Sequence, residues 1–247
     1  PCVVIAPDDA QLITGGSEER RKFLDSLLSQ LDPVYLQQLI LYTKVVQQRN
    51  SLLKSFAETG VRNAALLDVL DGQLMAPAEF IFRKRKEFLV SFLPAVRHIY
   101  IDIARRQEEI SLVYESQLLD ASFEDLLVRS RPKDFLSQRT AAGVHRDDID
   151  ICLGAMPFRN IASQGQRKSL LFAIKLAEME VLQKEKGFAP LLLLDDVFEK
   201  LDSERIGSLL ERVCHTNDGQ VFITDTSEER LRLKLEEIGV PFSMILL

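Results

Sequence analysis

Two neighbouring carboxylates, Asp195 and Asp196, follow the apolar run Leu191–Leu194. Such a run is typical of a buried parallel strand, and open α/β sheets bind ligands at the carboxyl ends of their strands. A carboxylate at this point can hold Mg²⁺ through water, and a second one can polarise a water that attacks a phosphate. Alternatively, both aspartates follow a buried strand only as turn or helix-capping residues.

A polar helix start, Ser163-Gln164-Gly165-Gln166, precedes an apolar-faced helix. Ser163 and Gln166 have the spacing of a capping box, which satisfies free amides at a helix start. The same amides, the positive end of the helix dipole and the close backbone approach allowed by Gly165 would also favour an anion. The two interpretations are compatible, because one helix start can be capped and can also bind an anion.

Two weaker features lie downstream, at Leu201-Asp202 and at Thr224, which ends the apolar segment QVFIT. Neither indicates a function by itself. Their order after the Ser163 helix start and the paired acids is the order found in ABC-type ATPases.

The first half of the chain has the residue pattern of helices. From about 17 to 110, apolar residues recur at helical spacing, Pro33 opens one helix, and Gly60 is a weak stop before a long third helix. The spacing predicts a helical bundle or arm.

Strands alternate with helices after about Leu112, which predicts a parallel sheet with covering helices. The segments IDICLG and MPFRNIA predict a hairpin, and FSMILL at the end predicts a last strand. We therefore expect an α/β portion plus a mainly helical lobe, divided as 1–16, 17–111 (helical lobe) and 112–247 (α/β).

The net charge of −6 does not indicate a protein coated in nucleic acid, but local basic clusters occur in the first half. Lys and Arg there could neutralise DNA phosphates without reading sequence, or could simply form solvated helix faces. The residues predicted to contact DNA are Arg20, Arg21, Lys22, Arg83, Lys84, Arg85 and Lys86, with Arg105 and Arg106 on the same helical stretch.

Other site types are poorly supported. Cys2, Cys152 and Cys214 are too widely spaced for zinc and odd in number, so we expect reduced thiols. The cluster His145–Asp148 lacks partners at metal-ligand spacing, and we interpret it as a structural motif beside the sheet, near which a nucleotide could also bind. The apolar runs are too short to span a bilayer and no leader opens the chain, so we expect a cytoplasmic protein with no membrane partner.

Several long segments together resemble the RecF family, relatives of the SMC proteins. They include the early IAPDDAQLITGGSEERRKFLDSLLSQLDPVYL and the later RTAAGVHRDDIDICLG, ASQGQRKSLLFAIKLAEME and LLLLDDVFEKLD. The resemblance covers nearly the whole chain and implies a partial ABC/SMC-type ATPase head, to which 1–16 and 112–247 would belong, with 17–111 as its helical lobe.

The resemblance implies a role for each candidate residue. Ser163, Gln164, Gly165 and Gln166 match the signature motif, which caps the γ-phosphate of ATP held by the opposite subunit. Asp195 matches the Walker B aspartate that supports Mg²⁺ through water, and Asp196 stands at the catalytic acid position. Asp202 matches the D-loop, and Thr224 lies near the switch position.

No GxxxxGK[ST] phosphate loop occurs in the 247 residues. The chain also starts with Pro1, and its first residues already predict a strand. We therefore expect that a preceding segment with the Walker A loop is missing, and that these residues alone do not turn over ATP.

For the complete protein, the resemblance implies DNA repair, recombination and replication, including the SOS response. It would bind DNA as an ATP-gated dimer with slow hydrolysis, and its partners would be gapped duplex or single-strand/double-strand junctions, RecR and RecO. One alternative is a truncated, non-catalytic interaction module. A transporter ATPase subunit fits the long helical segment poorly.

Overall fold

The computed structural model describes residues 1–106, 108–196, 201, 203–216 and 219–245. They form two units. A sheet unit combines Pro1–Gly16, Phe92–Leu112 and Ile151–Leu247, and a helical unit combines Ser17–Ser91 and Val113–Asp150.

A parallel sheet organises the sheet unit. Its strands are β1 (Cys2–Ile5), β5 (Leu191–Asp195) and β6 (Val221–Thr224), in the order β1-β5-β6. Both neighbouring pairs are parallel, with Val4 opposite Leu193 and Leu193 opposite Phe222. The predicted parallel sheet and the strand at the four leucines are thus confirmed.

Helices cover one face of this sheet, because alternate strand residues such as Val3, Ile5, Leu192 and Leu194 are buried. Helix α7 packs against β1 and α1, and α8 packs against α9. The bounds are α1 (Gln11–Thr14), α6 (Phe158–Ile161), α7 (Gln164–Lys186), α8 (Ser203–Thr216) and α9 (Glu228–Ile238).

The predicted strand FSMILL is wrong where it can be judged: residues 242–245 are not in a strand, and 246–247 lie outside the described residues. Apolar alternation does not suffice for a strand, which also needs a neighbouring backbone to pair with. Ile245 is instead 82% exposed.

Long helices form the helical unit: α2 (Ser17–Leu31), α3 (Pro33–Thr59), α4 (Ala64–Ala104, which continues into the sheet unit) and α5 (Phe123–Ser137). Asp32 caps α3 by accepting from Val34 N at 2.9 Å. Gly60 ends α3 in the left-handed conformation, at φ 73°. The predicted starts at Ser17 and Pro33 and the stop at Gly60 are confirmed.

A second sheet has the strand order β2-β3-β4, with bounds Ile110–Glu115, Asp148–Leu153 and Met156–Pro157. The predicted hairpin is confirmed for β3 and β4, where Cys152 pairs with Pro157. Its second strand is shorter than predicted, because Phe158–Ile161 turns into α6 and buries Phe158.

Candidate functional site

The two acids that follow the leucine run meet Thr224 at the carboxyl end of the parallel sheet. Asp195 ends β5 and lies opposite Thr224 of β6 in the strand register. The Thr224 hydroxyl donates to Asp195 Oδ1 at 2.6 Å, and the Asp196 backbone N–H donates to Thr224 Oγ1 at 3.0 Å. One hydroxyl therefore links both acids, and the tertiary structure brings the three predicted residues together.

The backbone turns sharply at Asp196, which adopts φ 44°. Asp is among the few residues that tolerate this left-handed region, at a cost of about 1–3 kcal/mol. A strained conformation directly after a strand end is typical of functional sites. The predicted D-loop residue Asp202, like residues 197–200, lies outside the described residues.

The sheet face that carries Asp195 and Thr224 is apolar and exposed. Since successive strand residues alternate between faces, Val4 and Phe222 share this face through their pairing with Leu193. Val4 is 41% and Phe222 52% exposed. The acids thus stand at the end of an uncovered apolar surface.

The start of α7 is the predicted capping box. Ser163 Oγ accepts from Gln166 N at 3.2 Å, and Gln166 Oε1 accepts from Ser163 N at 2.8 Å. Ser163 and Gln164 are exposed, whereas Gly165 and Gln166 are partly buried. Capping is therefore confirmed, while nucleotide contact by these four residues stays a prediction.

Glu108 is a partner of this helix start that sequence reasoning missed. Glu108 Oε2 accepts from Gln166 Nε2 at 2.9 Å, and Glu108 Oε1 lies 3.4 Å from Arg205 Nη2. Contacts across 58 and 97 residues leave no signal in local spacing. Only the fold reveals them.

Arg85, predicted to contact DNA, lies in the interior of the helical unit. It is 1% exposed, and its guanidinium donates to Asp25 Oδ1 and Asp147 Oδ2, both at 2.8 Å. The nearby Tyr35 hydroxyl accepts from Arg85 Nε at 3.0 Å. A cation held in this way has no access to a phosphate, so its position argues against a direct DNA contact.

Arg20 and Arg21 are likewise engaged. Arg20 is 8% exposed and pairs in bidentate fashion with Asp148, at 2.7 and 2.9 Å. Arg21 Nη1 donates to the Asp147 carbonyl at 2.6 Å, and burial, with the neighbouring Arg85, lowers the pKa of Arg21. Both side chains therefore make hydrogen bonds and ion pairs within the helical unit.

The remaining predicted cations are more accessible. Arg83 and Lys86 are exposed and lie over the rings of Phe80 and Phe82 at 5.6 and 5.8 Å. Lys84 is partly buried and pairs with Asp32 at 2.8 Å. The exposed Lys22 pairs with Glu18 and Glu19, and Arg105 pairs with Glu211.

The segment His145–Asp148 makes hydrogen bonds within the helical unit. His145 is held between the Tyr42 hydroxyl, 2.7 Å from Nδ1, and the Thr140 carbonyl, 2.9 Å from Nε2. Because a carbonyl only accepts, Nε2 carries the proton and Nδ1 accepts from Tyr42. Asp147 and Asp148 are paired with arginines as described above.

Within 1–106, 108–196, 201, 203–216 and 219–245, no group of three His, Cys, Asp or Glu side chains is arranged to hold a metal ion. In the same ranges, no helix is both long and apolar enough to cross a membrane.

A comparison with protein-family models found no match. Among curated proteins, the chain is similar to the DNA replication and repair protein RecF of Flavobacterium johnsoniae, with 44% identity over 230 residues, 93% of this chain and 64% of that protein. It is also similar to the protein of the same name from Bacteroides thetaiotaomicron, with 40% identity over 244 residues, 99% of this chain and 65% of that protein.

A solved structure of the recombination mediator protein RecF-ATPrS in the RecFOR pathway matches with a TM-score of 0.79 and 31% identity, covering 93% of this chain and 63% of that one. A structure described as RecF-ATP matches with a TM-score of 0.79 and 30% identity, covering 93% of this chain and 62% of that one. The chain thus spans somewhat less than two thirds of its relatives. The shared sequence and fold over nearly all of its own length show that the chain belongs to the RecF family.

Proposed function

We propose that the chain is part of an ATP-dependent DNA-binding protein of recombinational repair and replication. Asp195 would support Mg²⁺ through water, Asp196 would act on the attacking water, and the Ser163–Gln166 turn would cap the γ-phosphate of ATP bound to a second copy. Hydrolysis would be slow and would release DNA, so that ATP acts as a switch.

The observation that carries this proposal is the linkage of Asp195, Asp196 and Thr224 at the carboxyl end of the sheet. Asp195 is exposed there, so its carboxylate is accessible to a ligand. A turn that only ended a strand would need neither two acids nor a hydroxyl that orients one of them. The names of the relatives and the nucleotides in the matching structures point to the same chemistry.

The side chains present suit a hard cation and a phosphate. Carboxylate and hydroxyl oxygens are ligands that Mg²⁺ accepts, and it usually binds through one or two carboxylates with several waters retained. The capped first turn of α7 offers backbone amides to an anion. When bound, Mg²⁺ would neutralise charge on the phosphates; Asp195 would orient its waters and Thr224 would hold Asp195.

For DNA binding we propose the exposed cations Arg83 and Lys86, together with Lys22 and Lys84 at the surface, and not the buried Arg85 or Arg20. Phosphate contacts of this kind bind without reading sequence and weaken steeply with salt. The expected DNA is gapped duplex or a single-strand/double-strand junction.

The further parts of the proposal follow from the family. We propose an ATP-dependent homodimer, the mediators RecR and RecO as partners, a role in recombination and the SOS response, and a cytoplasmic location. The predicted helical lobe, 17–111, overlaps the helical unit over Ser17–Ser91, and we propose that this unit, Ser17–Ser91 with Val113–Asp150, is the lobe. We also propose that Asp202 belongs to the D-loop.

The decisive experiment is an equilibrium titration of Mg·ATP into the 247-residue chain. The titration is repeated with a joined protein, in which this chain is fused to the part of the Flavobacterium johnsoniae protein that the chain does not match. We expect binding and ATP-driven dimerisation in the joined protein, both abolished by Asp195→Asn. Asp120→Asn is the control: it makes the same change at an exposed carboxylate outside the Asp195–Thr224 site, and it should bind ATP normally.

Absence of ATP binding in the joined protein would contradict the proposal. It would favour the alternative of a non-catalytic interaction module that binds a partner protein through its helical lobe.

A further inference from the structure

The first turn of α7 is fixed from outside the helix by Glu108. Gln166 bridges two groups, since its Oε1 accepts from Ser163 N at 2.8 Å and its Nε2 donates to Glu108 Oε2 at 2.9 Å. The partners decide this orientation of the amide, because a carboxylate only accepts and a backbone N–H only donates. The capping box is therefore tied to a carboxylate 58 residues away in the chain.

Arg205, in the first turn of α8, reaches the same place. Its Nη2 lies 3.4 Å from Glu108 Oε1, and its Nη1 donates to Ser169 Oγ at 2.7 Å. The Ser169 hydroxyl in turn donates to the Gly165 carbonyl at 2.9 Å. Two routes thus connect α8 with the Ser163–Gln166 turn, one through Glu108 and one through Ser169.

These contacts are shielded from water. The side chains of Glu108 and Arg205 are 15% and 11% exposed, and Ser169 is fully buried. Tyr100 completes the cluster by donating its hydroxyl to Glu108 Oε2. In this environment charge-assisted hydrogen bonds are strong, and a partner left alone is costly.

We propose that Glu108 and Arg205 are positioning residues that set the geometry of the Ser163–Gln166 turn and couple it to the first turn of α8. The structural coupling stands on the contacts alone, whereas its consequence for nucleotide rests on the proposed function.

The coupling is tested without nucleotide by hydrogen exchange of two peptides of α7, residues 163–170 and 176–186. In Glu108→Gln and Arg205→Met we expect exchange of 163–170 to rise about tenfold, from the loss of a charge-assisted hydrogen bond. Exchange of 176–186 should stay unchanged. The double variant should exchange little faster than the more affected single variant, because Glu108 and Arg205 belong to one hydrogen-bonded cluster and their effects are not additive.

Glu211→Gln is the matched control. Glu211 also lies on α8 and pairs with Arg105, but at the surface, with side chains 55% and 47% exposed. It should leave both peptides unchanged. A rise of equal size in both peptides would assign Glu108 and Arg205 to general stability and overturn the proposal, as would unchanged exchange of 163–170.

A second readout uses the joined protein that binds ATP. There we expect ATP to protect residues 163–170, and Glu108→Gln to reduce this protection while Mg·ATP binding at Asp195 persists. Full protection in Glu108→Gln would overturn the effect on nucleotide. If the unmodified joined protein binds no ATP, the proposed function fails, and the exchange without nucleotide still decides the coupling.

Discussion

Thr224 and Asp195 lie opposite each other on neighbouring parallel strands, and the Thr224 hydroxyl donates to Asp195 Oδ1 at 2.6 Å. The same oxygen of Thr224 accepts from the backbone N–H of Asp196. A threonine at the end of β6 therefore orients one acid and anchors the turn that presents the other.

Thr224→Val removes this hydroxyl and keeps the shape of the side chain. We expect about 0.5–1.5 kcal/mol lower stability, from two lost hydrogen bonds at a partly solvated site. We also expect weaker Mg·ATP binding in the joined protein, because Asp195 loses its orientation. Thr224→Ser restores the hydroxyl and should bind normally; equal binding by the valine and serine variants would show that Thr224 does not position Asp195.

Arg85 and Arg83 allow a matched comparison two residues apart on α4. Arg85→Ala leaves Asp25 and Asp147 without their buried cation, so we expect a loss of about 3–5 kcal/mol in unfolding free energy. Arg83→Ala should leave stability within about 0.5 kcal/mol. It should also weaken DNA binding, and the slope of the logarithm of the binding constant against the logarithm of salt concentration should become shallower by roughly one. Denaturant unfolding and salt-dependent DNA titrations measure both effects.

Asp134 holds a second buried cation in the helical unit. Its Oδ2 accepts from Arg49 Nη1 at 2.6 Å, and both side chains are 0% exposed. Asp134→Ala should therefore lower the unfolding free energy by about 3–5 kcal/mol. Asp68, 59% exposed and paired with Arg131, is the control, and Asp68→Ala should cost under about 1 kcal/mol. Similar costs for both would refute the dependence on burial.

The burial of His145 predicts a specific pH dependence of the unfolding free energy. Burial lowers the pKa of His145 from 6.5 to about 4, while the hydrogen bond to the Thr140 carbonyl opposes this shift. The unfolded chain therefore binds the proton more readily. The contribution to stability, roughly 3 kcal/mol, is fully present above about pH 6.5 and is lost as pH falls toward 4.

Stability curves between pH 7 and 4 test this directly. His145→Gln should flatten the fall in stability, because no imidazole then has to be kept neutral. A slope that is unaltered in His145→Gln would mean that other groups control the acid response.

The exposed sheet face predicts self-association of the 247-residue chain, because apolar patches of this kind favour contact with other apolar surfaces. Phe222→Ser should shift sedimentation toward monomer. Leu233 is similarly exposed, at 58%, but belongs to α9 and not to the sheet, so Leu233→Ser should have little effect. Equal effects of both changes would point to nonspecific association.

What the sequence by itself determined was local. The Ser163 capping box, the Pro33 helix start and the Gly60 stop involve residues at most four positions apart, so their hydrogen bonds and backbone preferences can be recognised in the sequence. The leucine run likewise predicted a strand of a parallel sheet, since its length and its flanking acids fit one, although only Leu192 and Leu194 of the run are buried.

Only the tertiary structure decided which polar groups meet and which are buried. Thr224 reaches Asp195 across 29 residues and Glu108 reaches Gln166 across 58, distances that local spacing does not encode. Arg85 had a partial signal, because it lies four residues from both Ile81 and Leu89 and so shares their buried helix face. A charge run alone does not tell a buried face from a solvated one. That choice depends on which neighbouring segments supply carboxylates to pair with the cation.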